Sequence, residues 1–423
     1  MPVRDTAQLR EVVGKAVHEV KVTDVHTHLH SPRSGSSGGS VSPALLWGVD
    51  ELITYHYLIA ETFRWTDIPY DDYWQLSKQA QADLIWRTLF VENSPVAESC
   101  RGVLTALQKL GLDTGSRDLE SYRHHFEGMA VEEYVDRVFE LSGVKEVVMT
   151  NDPFDEGERE VWLKGPQRDP RFHAALRLDP LLNTWESSWE TLASWEYAVS
   201  GKLTAATLDE VRRFLREWAE RMGAVYMAVS LPPTFVMPDE SLRGVLIKEC
   251  VLPVCEELNR PFAMMMGVKK LVNPRLQLAG DSVGRASIEA VEYLCATYPR
   301  SKFLVTMLSR ENQHELCVAA RKFRNLMPFG CWWFLNNPSL VDEITRMRLE
   351  LLGLSFIPQH SDARVLDQLL YKWDHSRRVI ADALFDKYHD LMATGWTMEE
   401  WEIRRDVEKL FGGNFWSFVK RKL

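Results

Sequence analysis

The sequence predicts an α/β fold, a (β/α)8 TIM barrel with a helical insertion after its first strand. Three observations lead there. Short segments rich in Val, Ile, Phe and Met recur along the chain, as strands buried on both faces do, and charged stretches with helical spacing lie between most of them. That alternation is the βαβα rhythm of a parallel sheet. The strand candidates number eight, which favours a closed barrel over an open sheet, and 423 residues accommodate a barrel of about 250 residues with an insertion.

In order, the strand candidates are VTDVHTHL from Val22, VKEVVMTN from Val144, RFHAALRL from Arg171, AVYMAVSL from Ala224, PFAMMMGV from Pro261, KFLVTMLS from Lys302, LMPFGCWWF from Leu326 and LGLSFIPQHS from Leu352. Helical candidates such as LDEVRRFLREWAERM from Leu208 and QHELCVAARKFRNL from Gln313 fall between them. The one unequal gap follows the first strand. It opens with the Gly/Ser-rich SPRSGSSGGSVSP from Ser31 and continues with helical periodicity to Asp136. We therefore expect one barrel domain over 1–423, with 31–136 a loop and helical lid on the C-terminal face, where barrel active sites are built.

Composition narrows the function. Apolar residues make up 45% of the chain, enough for a packed core, and the net charge of -10 argues against a broad basic surface for nucleic acid. An anionic small substrate then requires a local arginine pocket. Six scattered cysteines without a CxxC pair suit reduced thiols in the cytoplasm. No apolar run approaches membrane-spanning length and the N-terminus has no continuous apolar core, so a membrane is not an expected partner. Homo-oligomerisation is left open.

The chemistry-bearing residues collect at predicted strand ends. His26 and His28 are two apart on a strand and share a face, the arrangement of a metal site at a barrel mouth; two satisfied structural histidines are the alternative. His360, Asp362 and Arg364 share a face if the last strand stays extended, which brings an acid and a guanidinium to the same mouth. Alternatively, Ser361 and Asp362 cap the next helix. Arg177 could offer its fork to a carboxylate, or pair internally with Asp179. His56 and Tyr57 begin the insertion in DELITYHYLIAE, where alternating aromatics also read as packing. Arg310 and the Lys269-Lys270 pair are further cations near strand ends, and for the lysines solvation is the simpler reading. Trp332 and Trp333 should face opposite ways on a strand, one walling the pocket and the other packing under the helices.

Taken in order, VTDVHTHL, LITYHYLIAE, FHAALRLDPLL, FGCWWF and HSDAR make this chain resemble the glucuronate/galacturonate isomerases, the uronate isomerases of the amidohydrolase superfamily, and a shorter bacterial subgroup among them. The resemblance covers nearly the whole chain. It implies interconversion of D-glucuronate with D-fructuronate and of D-galacturonate with D-tagaturonate, a hexuronate substrate, and a divalent metal, typically Zn2+. It matches His26, His28 and Asp362 to metal ligands. His56, Tyr57, Arg177, Arg364 and one of Trp332 and Trp333 match substrate-site residues. Strands five and six carry no histidine where many superfamily members have one, leaving three protein ligands.

Aldose-ketose isomerisation moves a proton between C2 and C1 through a cis-enediol, which needs a base over C2 and electrophiles at the two oxygens. Asp362 is the expected base, poised by Arg364, with Tyr57 assisted by His56 as proton donor and Arg177 on the substrate carboxylate. A metal-dependent hydrolase or lactonase could use the same His-Asp set to activate water. A sugar-acid-binding protein without activity would be expected to show degraded catalytic positions.

Overall fold

The computed structural model describes residues 2–32, 45–165 and 169–423. Seven parallel strands form a curled sheet in the order β1-β2-β3-β4-β5-β8-β9: β1 Val22–Thr27, β2 Val144–Asn151, β3 Phe172–Arg177, β4 Met227–Leu231, β5 Phe262–Met266, β8 Phe303–Met307 and β9 Leu326–Pro328. A separate antiparallel ribbon pairs β6 Val268–Lys269 with β7 Ser282–Val283. The expected eighth strand contributes one parallel bridge, Phe329 to Ile357. Its chain is nevertheless bonded on both sides. Ile357 N–H donates to Pro328 O (3.1 Å), while Asp362 N–H donates to His26 O on β1 (3.1 Å) and His28 N–H, just past the end of β1, donates to Ala363 O (2.7 Å). Pro358 has no N–H for a ladder, and Asp362 turns out of the extended region at φ +54°, so the strand is short.

Side chains alternate across this sheet. Ala263 and Met265 of β5 join Val25, Val148, Ala228 and Phe329 in one buried cluster, whereas Phe262, Met264 and Met266 pack in the other, against the helices. The crossover helix Ala205–Met222 shows how the chain reads locally. Thr204 accepts from Thr207 N–H at its start, Gly223 ends it at φ +62°, and Val211, Phe214, Leu215, Trp218 and Met222 make its buried face. The cap alone is worth about 1 kcal/mol.

Between β1 and β2 the described residues hold a run of helices from Val49–Ile53 to Val131–Ser142. The Gly/Ser-rich stretch lies mostly within residues 33–44, outside the described residues. The Trp332-Trp333 prediction needs correcting, because β9 ends at Pro328 and Trp333 opens a short 3-10 turn, Trp333–Leu335. The strand ends early because the chain turns at Gly330, φ +68°, where a Cβ would lie 1.9 Å from the His360 ring. Among the described residues, no helix is long and apolar enough to cross a membrane.

Candidate active site

The C-terminal ends of the strands surround a cavity of about 180 Å³ lined by His26, His28, His56, Arg177, Asp362 and Arg364, with both Trp332 and Trp333 in its wall. Of the residues singled out in the sequence, Tyr57, Lys269, Arg310, His360 and Ser361 are not part of that lining. Tyr57 stacks edge-on behind His56, ring centroids 4.4 Å apart, and Arg310 pairs with Glu343 at 3.0 Å on the surface.

His26 Nε2 and His28 Nε2 converge on one oxygen, Asp362 Oδ1, at 3.5 and 3.4 Å. The partners behind the imidazoles decide what those three atoms can be. Tyr226 spends its single hydroxyl proton on Val25 O (2.9 Å), so at 3.2 Å from His26 Nδ1 its oxygen accepts the ring N–H. Thr150 likewise donates to Thr27 O (3.0 Å) and accepts from His28 Nδ1 (3.0 Å). Both Nε2 atoms therefore present lone pairs, and they face a carboxylate oxygen. Neither His26 Nε2 nor Asp362 Oδ1 has a hydrogen-bond partner, although both are buried. Three acceptors within 4.8 Å of one another and without a proton between them fit a shared cation. Two ligand atoms bound about 2.0–2.1 Å from a tetrahedral ion stand about 3.3 Å apart, close to the spacing here. Among the described residues this is the one group of His, Cys, Asp and Glu side chains with that capacity.

Burial lowers the pKa of His26 far below its ordinary value, reinforced by His360 and His28, which suits a neutral ligand. Burial alone would raise Asp362, but the imidazoles of His28 and His26 beside it and the Lys372 ammonium outweigh that and hold the carboxyl below its usual range. His56, pushed down to about 3 by burial, is neutral at physiological pH. Tyr57 is raised by burial and by the neighbouring Tyr55 and Asp362, so its phenol keeps its proton.

Arg177 grips Asp179 with two prongs (3.0 and 3.1 Å), so the internal pair foreseen as an alternative is present, and it sits in the cavity wall. Asp179 is anchored in turn by Ser230 N–H at 3.3 Å. Arg364 is exposed and lines the same cavity. Neither Ser361 nor Asp362 caps a helix, since the next one, Gln368–Ala393, has Asp367 at its N-cap. His360 is fully buried, outside the cavity lining, 5.1 Å from the His26 ring; the left-handed Asp362 breaks the strand parity that would have put the two on one face.

Sequence reasoning passed over several lining residues. Tyr55, Thr150, Ser230 and Asp281 carry no motif of their own. Lys270 was read as a solvated charge, yet it lines the cavity, bonds Asp281 at 2.7 Å and lies 5.9 Å from the Trp333 ring. Only the β6–β7 ribbon, two residues per strand, brings it there, and so short a ribbon leaves no periodic signal.

No protein-family model and no curated protein matches the chain. Solved structures do. A uronate isomerase from Bacillus halodurans C-125 is 58% identical over 99% of this chain and 98% of its own, with a TM-score of 0.96. A uronate isomerase from Thermotoga maritima (15% identity, 97% of each chain, TM-score 0.76) and a glucuronate isomerase from Caulobacter crescentus (14% identity, 100% and 98%, TM-score 0.66) share the fold. With identity of that order along essentially the whole length of both chains, this protein belongs to the uronate isomerase family.

Proposed function

We propose that the protein is an aldose-ketose isomerase that interconverts D-glucuronate with D-fructuronate and D-galacturonate with D-tagaturonate. The observation that carries this reading is a proton-free cluster of His26, His28 and Asp362 sharing one cavity with Arg177 and Arg364, alongside 58% identity to a uronate isomerase. A divalent cation held by those three side chains, zinc by the spacing and the nitrogen-rich donor set, would supply Lewis acidity at a sugar oxygen.

The remaining work falls to the chain. Asp362 turns Oδ1 to both imidazoles, and its carboxylate takes the C2 proton. Arg177, already held in register by Asp179, orients the substrate carboxylate, and Arg364 stabilises negative charge developing on the enediol oxygens. Asp362 returns the proton at C1 while the hydroxyl proton passes from O2 to O1 past His56, which Tyr57 backs from outside the cavity lining, and Trp332 and Trp333 wall off water. In this reading the eighth segment closes the curled sheet into a (β/α)8 barrel. The domain is single, 31–136 serves as its lid, and six free, buried thiols suit the cytoplasm.

The test is conversion of D-glucuronate and of D-galacturonate to their ketouronates by the purified protein, with and without a chelator. Turnover of either, lowered by the chelator, is expected. Failure on both, together with hydrolysis of a sugar lactone or ester, would replace the isomerase reading with the hydrolase one.

A further inference from the structure

Asp362 reaches His26 and His28 from a backbone conformation that disfavours it. At φ +54° it is a non-glycine residue in the left-handed region, which persists only where the surroundings over-determine it. Those surroundings can be traced bond by bond. The Asp362 N–H is fixed on His26 O. One residue earlier, Ser361 N–H donates to Asp24 Oδ1 at 3.0 Å, and Ser361 O accepts from Lys372 Nζ (2.6 Å) and Asn336 Nδ2 (3.1 Å). The other Asp24 oxygen accepts from the Trp373 indole at 2.8 Å. Asp24 is fully buried and is not among the residues lining the cavity.

From these contacts we infer that Asp24 is a positioning residue for Asp362. Its carboxylate ties β1, which carries His26 and leads directly into His28, to the turn that carries the third acceptor. Asp24 stands two residues before His26 on β1, so its bond to Ser361 sets the turn in the same frame as the imidazoles. Lys372 and Trp373, neighbours on the helix Gln368–Ala393, brace the two ends of that bond from behind. Without it, the turn can relax towards the ordinary right-handed region and draw Asp362 Oδ1 away from the two Nε2 atoms. The inference rests on reading those three side chains as one cation centre.

The test uses Asp24→Asn, which keeps shape but turns an N–H2 towards one of the two donors. Zinc and manganese affinities of the metal-free full-length protein, measured by titration calorimetry, are compared with those of wild type, with Tm recorded alongside. Partners behind metal ligands typically contribute 10–100-fold in affinity, and a loss in that range is expected. The same substitution made on Asp362→Ala should leave the remaining affinity unchanged, because a residue acting through Asp362 has nothing left to act on. An equal loss in both backgrounds, or a lowered Tm with unchanged affinity, would overturn the proposal and leave Asp24 a general structural residue. Should Asp24→Asn not fold, Trp373→Phe frees the same carboxylate at its other end. It should show a smaller loss of affinity, again confined to the background that retains Asp362, and a loss independent of Asp362 would count against the proposal. No sugar enters these measurements, so the result stands apart from which uronate is turned over. Absence of cation binding in wild type would instead remove the centre on which the inference depends.

Discussion

In the proposed reading Asp362 meets two demands with one side chain, since its Oδ1 faces both imidazoles while the carboxylate takes the proton from C2. Asp362→Asn preserves shape and polarity but cannot accept that proton, so turnover should fall by at least about 10²-fold with KM little changed. Bound metal must be measured on the same sample. A variant with full metal content and near-normal turnover would remove Asp362 from the role of base. At this scale much of the site was legible in the sequence. His26 and His28 stand out by spacing at a strand end, and HSDAR places Asp362 and Arg364 at another. What could not be read was the role of residues whose importance comes from a turn. The parity argument that put His360 beside Asp362 assumed an extended chain, and a single left-handed residue cancels it.

Among the elements, the long apolar strands were the readable ones, because burial on both faces leaves continuous runs; β2 runs over Val144–Asn151 as predicted. The last strand was read too long, since Pro358 and the turn at Asp362 end its ladder. The β6–β7 ribbon was missed altogether. With two residues per strand it has no period to detect, and contacts far off in sequence hold it. Trp74 Nε1 donates to Arg275 O (2.8 Å), and Tyr70 OH accepts from Asn273 Nδ2 (3.4 Å). The segment after β6 is thereby fastened to the helix Tyr70–Gln75 beside the cavity, and Lys270, Leu278 and Asp281 come to the wall. If Lys270 contacts the bound sugar there, Lys270→Ala removes one charged hydrogen bond, worth about 1.5–3 kcal/mol. KM for D-glucuronate should then rise by roughly 10-fold or more with kcat changed far less. Unchanged KM in steady-state assays would assign the lysine to the ribbon's own ion pair with Asp281.

Across the whole molecule, the burial that readies the site also sets how stability depends on pH. His30, His56 and His360 are pushed down by burial to about 4, about 3 and about 4, and His26 is lowered too. On unfolding, all four return towards about 6.5. Below that pH the unfolded chain takes up protons that the fold refuses, so acidification favours unfolding. Buried acids oppose this, with Asp50, Glu158 and Asp367 raised by burial as well as the two that shift furthest. Asp24 is raised to about 6 and Asp152 to about 7, chiefly by burial, so between about 4 and 6 the fold holds protons that the unfolded chain releases. Four protons taken up against the two released by Asp24 and Asp152 leave a net uptake of at most about two on unfolding, a slope of up to about 3 kcal/mol per pH unit that the smaller shifts of Asp50, Glu158 and Asp367 reduce. Metal-free protein should accordingly lose stability steadily as pH falls from 6 to 4.5, read as the midpoint of urea unfolding at fixed ionic strength. Added divalent cation should hold His26 and His28 unprotonated and delay the loss, since the ion competes with protons for the same lone pairs. A midpoint that stays flat or rises on acidification would mean that the buried acids outweigh the histidines, and the neutral imidazoles on which the cation site depends would have to be reassigned.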